Sequence, residues 1–145
     1  MSSPAPTRTI VVDYPFPQPP AAVWRALTEP ALVSRWLMPT DIRPIVGAEF
    51  TFKAPAMPGW DGTVRCQVLE VTPPLRLRYS WRGGPPDHAI DTTVTWTLTA
   101  QPDGGTLLRL EHAGFTEGNA FVLSILDEGW RGRIAERFAR TLAEL

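Results

Sequence analysis

Apolar positions along the chain change period three times, and the changes divide it into four stretches. Between Thr9 and Tyr14 the β-branched run Ile10, Val11 and Val12 predicts a first strand, which Pro15, Pro17, Pro19 and Pro20 then end. Helical spacing follows. Ala22, Val23, Ala26 and Leu27 predict a short amphipathic helix from Pro19 to Thr28, with a proline suited to its first turn; Leu32, Val33, Trp36 and Leu37 predict a second, from Glu29 to Leu37.

From Ile42 onward the period is two. Ile45, Phe50 and Phe52 flank a turn or bulge at Gly47, and Asp61-Gly62 is a turn signal after the loop-like run Ala54 to Trp60. Val64, Cys66 and Val68 share one face of a strand from Thr63 to Val71, and the shift to Leu69 and Val71 marks a bulge. Leu75, Leu77, Tyr79 and Trp81 alternate with Arg76, Arg78, Ser80 and Arg82. Val94, Trp96 and Leu98 alternate with a threonine row, and Leu108, Leu110 and His112 align after the hairpin at Asp103-Gly104-Gly105. Helical spacing returns from Asn119 to Leu145, where Trp130, Ile134, Phe138 and Leu142 form one row. The sum is an α+β domain: strand, two short helices, a meander of about six strands and one long final helix. That helix is the only element long enough to cover the apolar face of the sheet, and space left between the two would be a pocket.

Composition narrows the partners. A chain of 145 residues is one domain, taken here as 9–145 after a flexible tail of 1–8. A net charge of −1 with interspersed signs gives nucleic acid no electrostatic footing, and no window reaches the length of a membrane span. The lone Cys66 excludes an internal disulfide and fits a cytoplasmic setting. With two histidines and one cysteine at scattered positions, neither a metal site nor a cofactor is expected.

The order and spacing of Val23-Trp24-Arg25-Ala26-Leu27-Thr28, Ser34-Arg35-Trp36, Gly47-Ala48-Glu49-Phe50, the Gly62 to Val71 strand, Gly105 to Leu110 and Glu128-Gly129-Trp130 resemble the START-like helix-grip superfamily. Within it, the chain is similar to the family homologous to the C-terminal domain of the activator of heat-shock protein 90 ATPase. The resemblance runs from about Arg8 to Leu145. It implies an antiparallel, six- to seven-stranded curved sheet gripping the C-terminal helix, with an apolar cavity between them. It also implies a range of roles: lipid and polyketide binders, cyclases, hydrolases and metabolite-sequestering resistance proteins share such scaffolds. The chain departs from many members in having Leu37 and Met38 after Trp36, Val46 before Gly47 and Arg137 on the final helix.

The candidate chemistry is binding. Trp36, Phe50, Phe52, Tyr79, Trp81, Trp96, His112, Phe115, Trp130 and Ile134 come from elements that would surround the sheet–helix space, and are the expected contacts of a small hydrophobic or aromatic ligand. Tyr79, His112 and the indole N–H of Trp81 or Trp130 are the expected polar anchors. Core packing is the competing role for every one of them. A cyclase, dehydratase or hydrolase would need His112 as general acid or base, yet Glu111 alternates to the opposite face and no catalytic cluster is visible. An interaction module, either a homodimer or a chaperone partner, is the third expectation.

Overall fold

The computed structural model describes residues 7–145. Strand β1 (Arg8–Phe16) leads to helices α1 (Pro20–Thr28) and α2 (Pro30–Trp36), then to β2 (Glu49–Lys53), β3 (Thr63–Thr72), β4 (Arg76–Gly83), β5 (Ile90–Ala100) and β6 (Thr106–Phe115). A single 3-10 turn precedes α3 (Ala120–Arg131) and α4 (Arg133–Ala143). The strands form one antiparallel sheet in the order β1-β6-β5-β4-β3-β2, the architecture expected from the alternation of apolar residues. The tail expected over 1–8 lies for its first six residues outside the described residues, and Arg8 already pairs with Phe115 in β1.

Three details depart from the expected pattern. β1 runs through Pro15 to Phe16, because β1 is an edge strand and a missing N–H costs nothing on its open side. Five strands rather than about six follow the helices, since Ile45 and Val46 lie exposed in the turn before β2. The bulge expected at Leu69 is present, as the β3–β4 register shifts between Val68 and Glu70.

The third departure concerns the final helix, which is two helices and not one. Gly132, at φ −109° and ψ −101°, interrupts it. In a continuous helix the Trp130 carbonyl would accept from Ile134; here it accepts the Tyr14 hydroxyl at 2.6 Å, so the break is satisfied from β1. Arg131 adds a second tie, donating to the Val11 carbonyl at 2.9 Å. α4 continues the covering role, with Phe138 against Trp36 at 4.1 Å and Phe16 at 5.0 Å between ring centroids.

Gly129 is different. It sits inside α3, and a Cβ there would meet only Ile134 Cδ1 at an ordinary 3.7 Å. Gly129→Ala is expected to stabilise the protein by about 0.4–1 kcal/mol through reduced unfolded-state entropy. A denaturant midpoint that falls instead would show the helix to be crowded at this point.

Candidate functional site

The space between the sheet and the final helices is filled by aromatic side chains. Trp36, Phe50, Phe52, Tyr79, Trp96, His112, Phe115 and Trp130 are all at most 2 % exposed. They touch in sequence around the core: Trp36–Trp96 at 5.7 Å, Trp96–Trp130 at 5.6 Å, Phe50–Tyr79 at 5.2 Å and His112–Phe115 at 4.7 Å. Ile134 is half-buried against the same cluster. The expected ligand contacts therefore converge, but they converge on one another.

Their polar atoms are also occupied. The Trp130 indole N–H donates to His112 Nδ1 at 3.2 Å, and the Thr92 hydroxyl donates to the Trp81 carbonyl at 2.9 Å. With Nδ1 accepting and the Thr92 proton directed away, the 2.8 Å contact between His112 Nε2 and Thr92 Oγ1 is a donation from the ring. This one-way series, Trp130 to His112 to Thr92 to the Trp81 backbone, fixes His112 as a neutral imidazole with its proton on Nε2. Burial without a counter-charge pushes its pKa down to about 3. His112 has neither a free lone pair nor a path to solvent, so the geometry gives it no acid–base role. Trp96 Nε1 donates to the Tyr79 hydroxyl at 3.1 Å, and burial pushes that phenol's pKa up. Burial likewise raises the Cys66 thiol, leaving it protonated and unreactive.

An open cleft lies at one end of this core. It has a volume of about 290 Å³ and stands between the first half of α3, the loop before β3 and the β4–β5 connection. Phe121, Val122, Ile125 and Leu126 form its helical wall; Met57 and Trp60 face them, with Met38 at the side. His88 reaches across from the β4–β5 connection to Phe121, with 5.1 Å between ring centroids. Trp81 is the member of the expected set that lines the cleft, and it joins the cleft to the core through Phe52 at 5.2 Å and Trp130 at 6.0 Å.

The sequence builds these walls locally. Gly62, at φ +89°, lets the chain turn back so closely that a Cβ would collide with the Ala54 carbonyl oxygen. Ala54 N–H donates to the Gly62 carbonyl at 2.7 Å, closing the loop, and Met57 and Trp60 exchange backbone hydrogen bonds of 2.9 Å within it. The Trp60 indole N–H donates to the Thr63 carbonyl at 2.9 Å, which holds its ring as a wall. On α3, Phe121 and Ile125 are four apart and so are Val122 and Leu126. Val122 and Leu126 extend the Trp130 row toward the start of α3, and Phe121 and Ile125 form the more exposed row beside it.

Sequence reasoning passed over this wall because the helical row was begun at Trp130, although Leu126 and Val122 continue it by the same steps of four. The available signal was excess: Phe121 to Leu126 holds more apolar residues than one buried stripe needs, and Phe121 and Ile125 remain 60 % and 52 % exposed. Among the described residues no three His, Cys, Asp or Glu side chains are placed to hold a metal ion, and no helix is long and apolar enough to cross a membrane.

Comparison with known proteins places this geometry. A family model for "Activator of Hsp90 ATPase homolog 1-like protein" matches residues 17–143. Among solved structures, protein MLL2253 from Mesorhizobium loti is 36% identical, with a TM-score of 0.85 over 94% of this chain and 98% of its own. DynU16, a protein of the dynemicin biosynthetic locus, is 27% identical at a TM-score of 0.74; the match covers 93% of this chain and 47% of that one. The Aha1 dimer from Colwellia psychrerythraea is 17% identical, and its TM-score of 0.73 over 89% of this chain and 92% of its own speaks for the shared fold. No curated protein sequence matches the chain.

Proposed function

Taking as premise that the chain belongs to the family of Activator of Hsp90 ATPase homolog 1-like proteins, a START-like family, we propose that it binds a small hydrophobic or aromatic molecule in the cleft beside α3. The observation that carries the proposal is the lining. Fifteen residues form it, His88 is the sole titratable side chain among them, and the volume of about 290 Å³ is near the lower end of ligand sites. Exposed apolar surface is costly to leave in water, and Met57, Phe121 and Ile125 keep half or more of theirs there without structural need. A bound apolar molecule would remove that cost.

Binding is favoured over catalysis because the cleft offers no paired carboxylates, no nucleophile beside a base, and no role for His112. Placement in the dynemicin biosynthetic locus is a property of DynU16, and it supports a metabolite as ligand here only by similarity. A cytoplasmic setting, consistent with the buried free thiol of Cys66, completes the proposal.

The test uses N-phenyl-1-naphthylamine, a neutral apolar fluorophore. Wild-type protein should bind it with saturable enhancement. Ile125→Glu, at a half-exposed position where folding tolerates a charge, should weaken binding at least about tenfold by setting an unpaired carboxylate in the apolar wall. Unsaturable enhancement, or equal affinity in the variant, would remove the cleft from consideration.

A further inference from the structure

Four polar groups stand near the apolar core as anchors for a ligand: the Tyr79 hydroxyl, the His112 imidazole, and the indole N–H groups of Trp130 and Trp81. Three of them are bonded internally: Trp130 to His112, His112 to Thr92, and Tyr79 to Trp96. Trp60, the other tryptophan on the cleft, gives its N–H to Thr63. Trp81 differs from all of these. Among the described residues its indole N–H has no hydrogen-bond partner, although the residue is only 4 % exposed.

Nor is that N–H sealed in. Among the described residues, the fully buried side-chain polar atoms without a partner are Gln18 Oε1 and Arg76 Nε, the latter beside a Glu70 oxygen at 3.2 Å but outside hydrogen-bonding geometry. The Trp81 nitrogen is not one of these two, and its ring lines the cleft. On the core side, Phe52, His112 and Trp130 hold the ring at 5.2, 5.3 and 6.0 Å, so the donor is fixed in place before any ligand arrives.

We propose that Trp81 is the specificity-determining residue of the cleft, its indole N–H donating to a carbonyl or ether oxygen on a neutral, two-ring aromatic ligand. This rests on the ligand-binding proposal above and adds three restrictions. An indole N–H donates and never accepts, so the group that meets it is an acceptor. No Asp, Glu, Lys or Arg lines the cleft, so a charged ligand would lose hydration with nothing to replace it. A volume of about 290 Å³ is roughly twice the 150 Å³ or so of an apolar cavity that takes one benzene, so about two fused rings fill it and a further substituent extends through its open side. His88, exposed at the mouth, leaves the polar selection inside to Trp81.

The experiment compares three naphthalenes of similar size: 2-acetylnaphthalene, 2-ethylnaphthalene and 2-naphthoate. Affinities are measured by titration on wild type and on Trp81→Phe, which keeps a ring and removes the donor. The ratio of ketone to hydrocarbon affinity should fall roughly fivefold in the variant, the worth of one neutral hydrogen bond, and wild type should bind the ketone at least about tenfold tighter than the carboxylate. In wild type the Trp81 indole ¹H–¹⁵N resonance should move downfield with the ketone and not with the hydrocarbon, which decides the matter even if Trp81→Phe does not fold. Binding of the naphthalenes with an unchanged ratio and an unmoved resonance, or with the carboxylate bound as tightly as the ketone, would overturn the role of Trp81 and leave apolar binding standing. Failure of all three to bind would overturn both.

Discussion

Trp130→Ala is expected to cost about 4–8 kcal/mol, a large share of the roughly 5–15 kcal/mol that holds a domain folded. The side chain is fully buried, with its ring 5.6 Å from Trp96 and 6.0 Å from both Trp81 and His112. Truncating a buried aromatic to alanine costs about 3–5 kcal/mol, and here His112 Nδ1 also loses its only donor, at a further 1–3 kcal/mol or so. Trp130→Phe separates the two contributions, since it keeps most of the volume and loses the N–H; it should cost only the smaller share. Chemical denaturation measures both. Were Trp130 instead the wall of an open ligand cavity, its truncation would enlarge existing space and cost under about 2 kcal/mol.

The second large effect is a loss of stability in mild acid. His112 is neutral in the folded protein, with its pKa lowered from 6.5 to about 3, and regains the ordinary value on unfolding. Between those values the unfolded chain binds a proton that the native one does not. Stability is therefore complete above pH 6.5 and falls as the pH drops toward 3, by up to about 1.4 kcal/mol per pH unit. The clean window is pH 6.5 to 4.5, where the loss should reach roughly 2–3 kcal/mol. Below it Asp13 and Asp61 add their own contributions, since the hydrogen bond from Arg109 and the backbone N–H of Thr63 hold these carboxyls below their usual range. Denaturant melts across the window should show the slope in wild type and its absence in His112→Gln, whatever the variant's absolute stability. A flat wild-type profile would mean that the ring is charged or solvated in the native state.

Most of the fold was legible in the sequence because strand alternation is a local signal. Leu77 to Arg82 and Thr92 to Ala100 each declare which residues face inward, and the β3 bulge shows itself where the alternation slips at Leu69; Leu75, expected on the inner face, lies exposed in the turn before β4, where the chain has already left the sheet. The family resemblance of the ordered segments is likewise met by the family match over residues 17–143. The break at Gly132 was harder to read. Gly129 and Gly132 look alike in sequence, and what separates them is a tertiary partner, the Tyr14 hydroxyl that accepts the role of satisfying Trp130's carbonyl from 116 residues away.

The candidate site was legible in part for a related reason. Strand alternation put Phe50, Phe52, Tyr79, Trp96 and His112 on the inner side and helical spacing put Trp36 and Trp130 there, but facing inward does not say whether a side chain meets a ligand or another side chain. That depends on whether the sum of side-chain volumes fills the gap, and Trp36, Trp81, Trp96 and Trp130 with the buried phenylalanines and tyrosines fill it. Among the described residues, the apolar cleft beside α3 lies where the sheet ends and loops take over. Its walls at Met57, Trp60 and His88 come from segments whose composition signals a turn and conceals which side chains point inward. Trp81 was found from sequence because it belongs to both regions, closing the core on one side and flooring the cleft on the other.

The central claim is that ligand space lies beside α3 and not between the sheet and the final helices. Nuclear Overhauser contacts from bound N-phenyl-1-naphthylamine test it most directly. Contacts to Met57, Trp60, Phe121 and Ile125, with none to Trp36 or Phe138, are predicted; contacts to Trp36, Trp96 and Phe138 would contradict it.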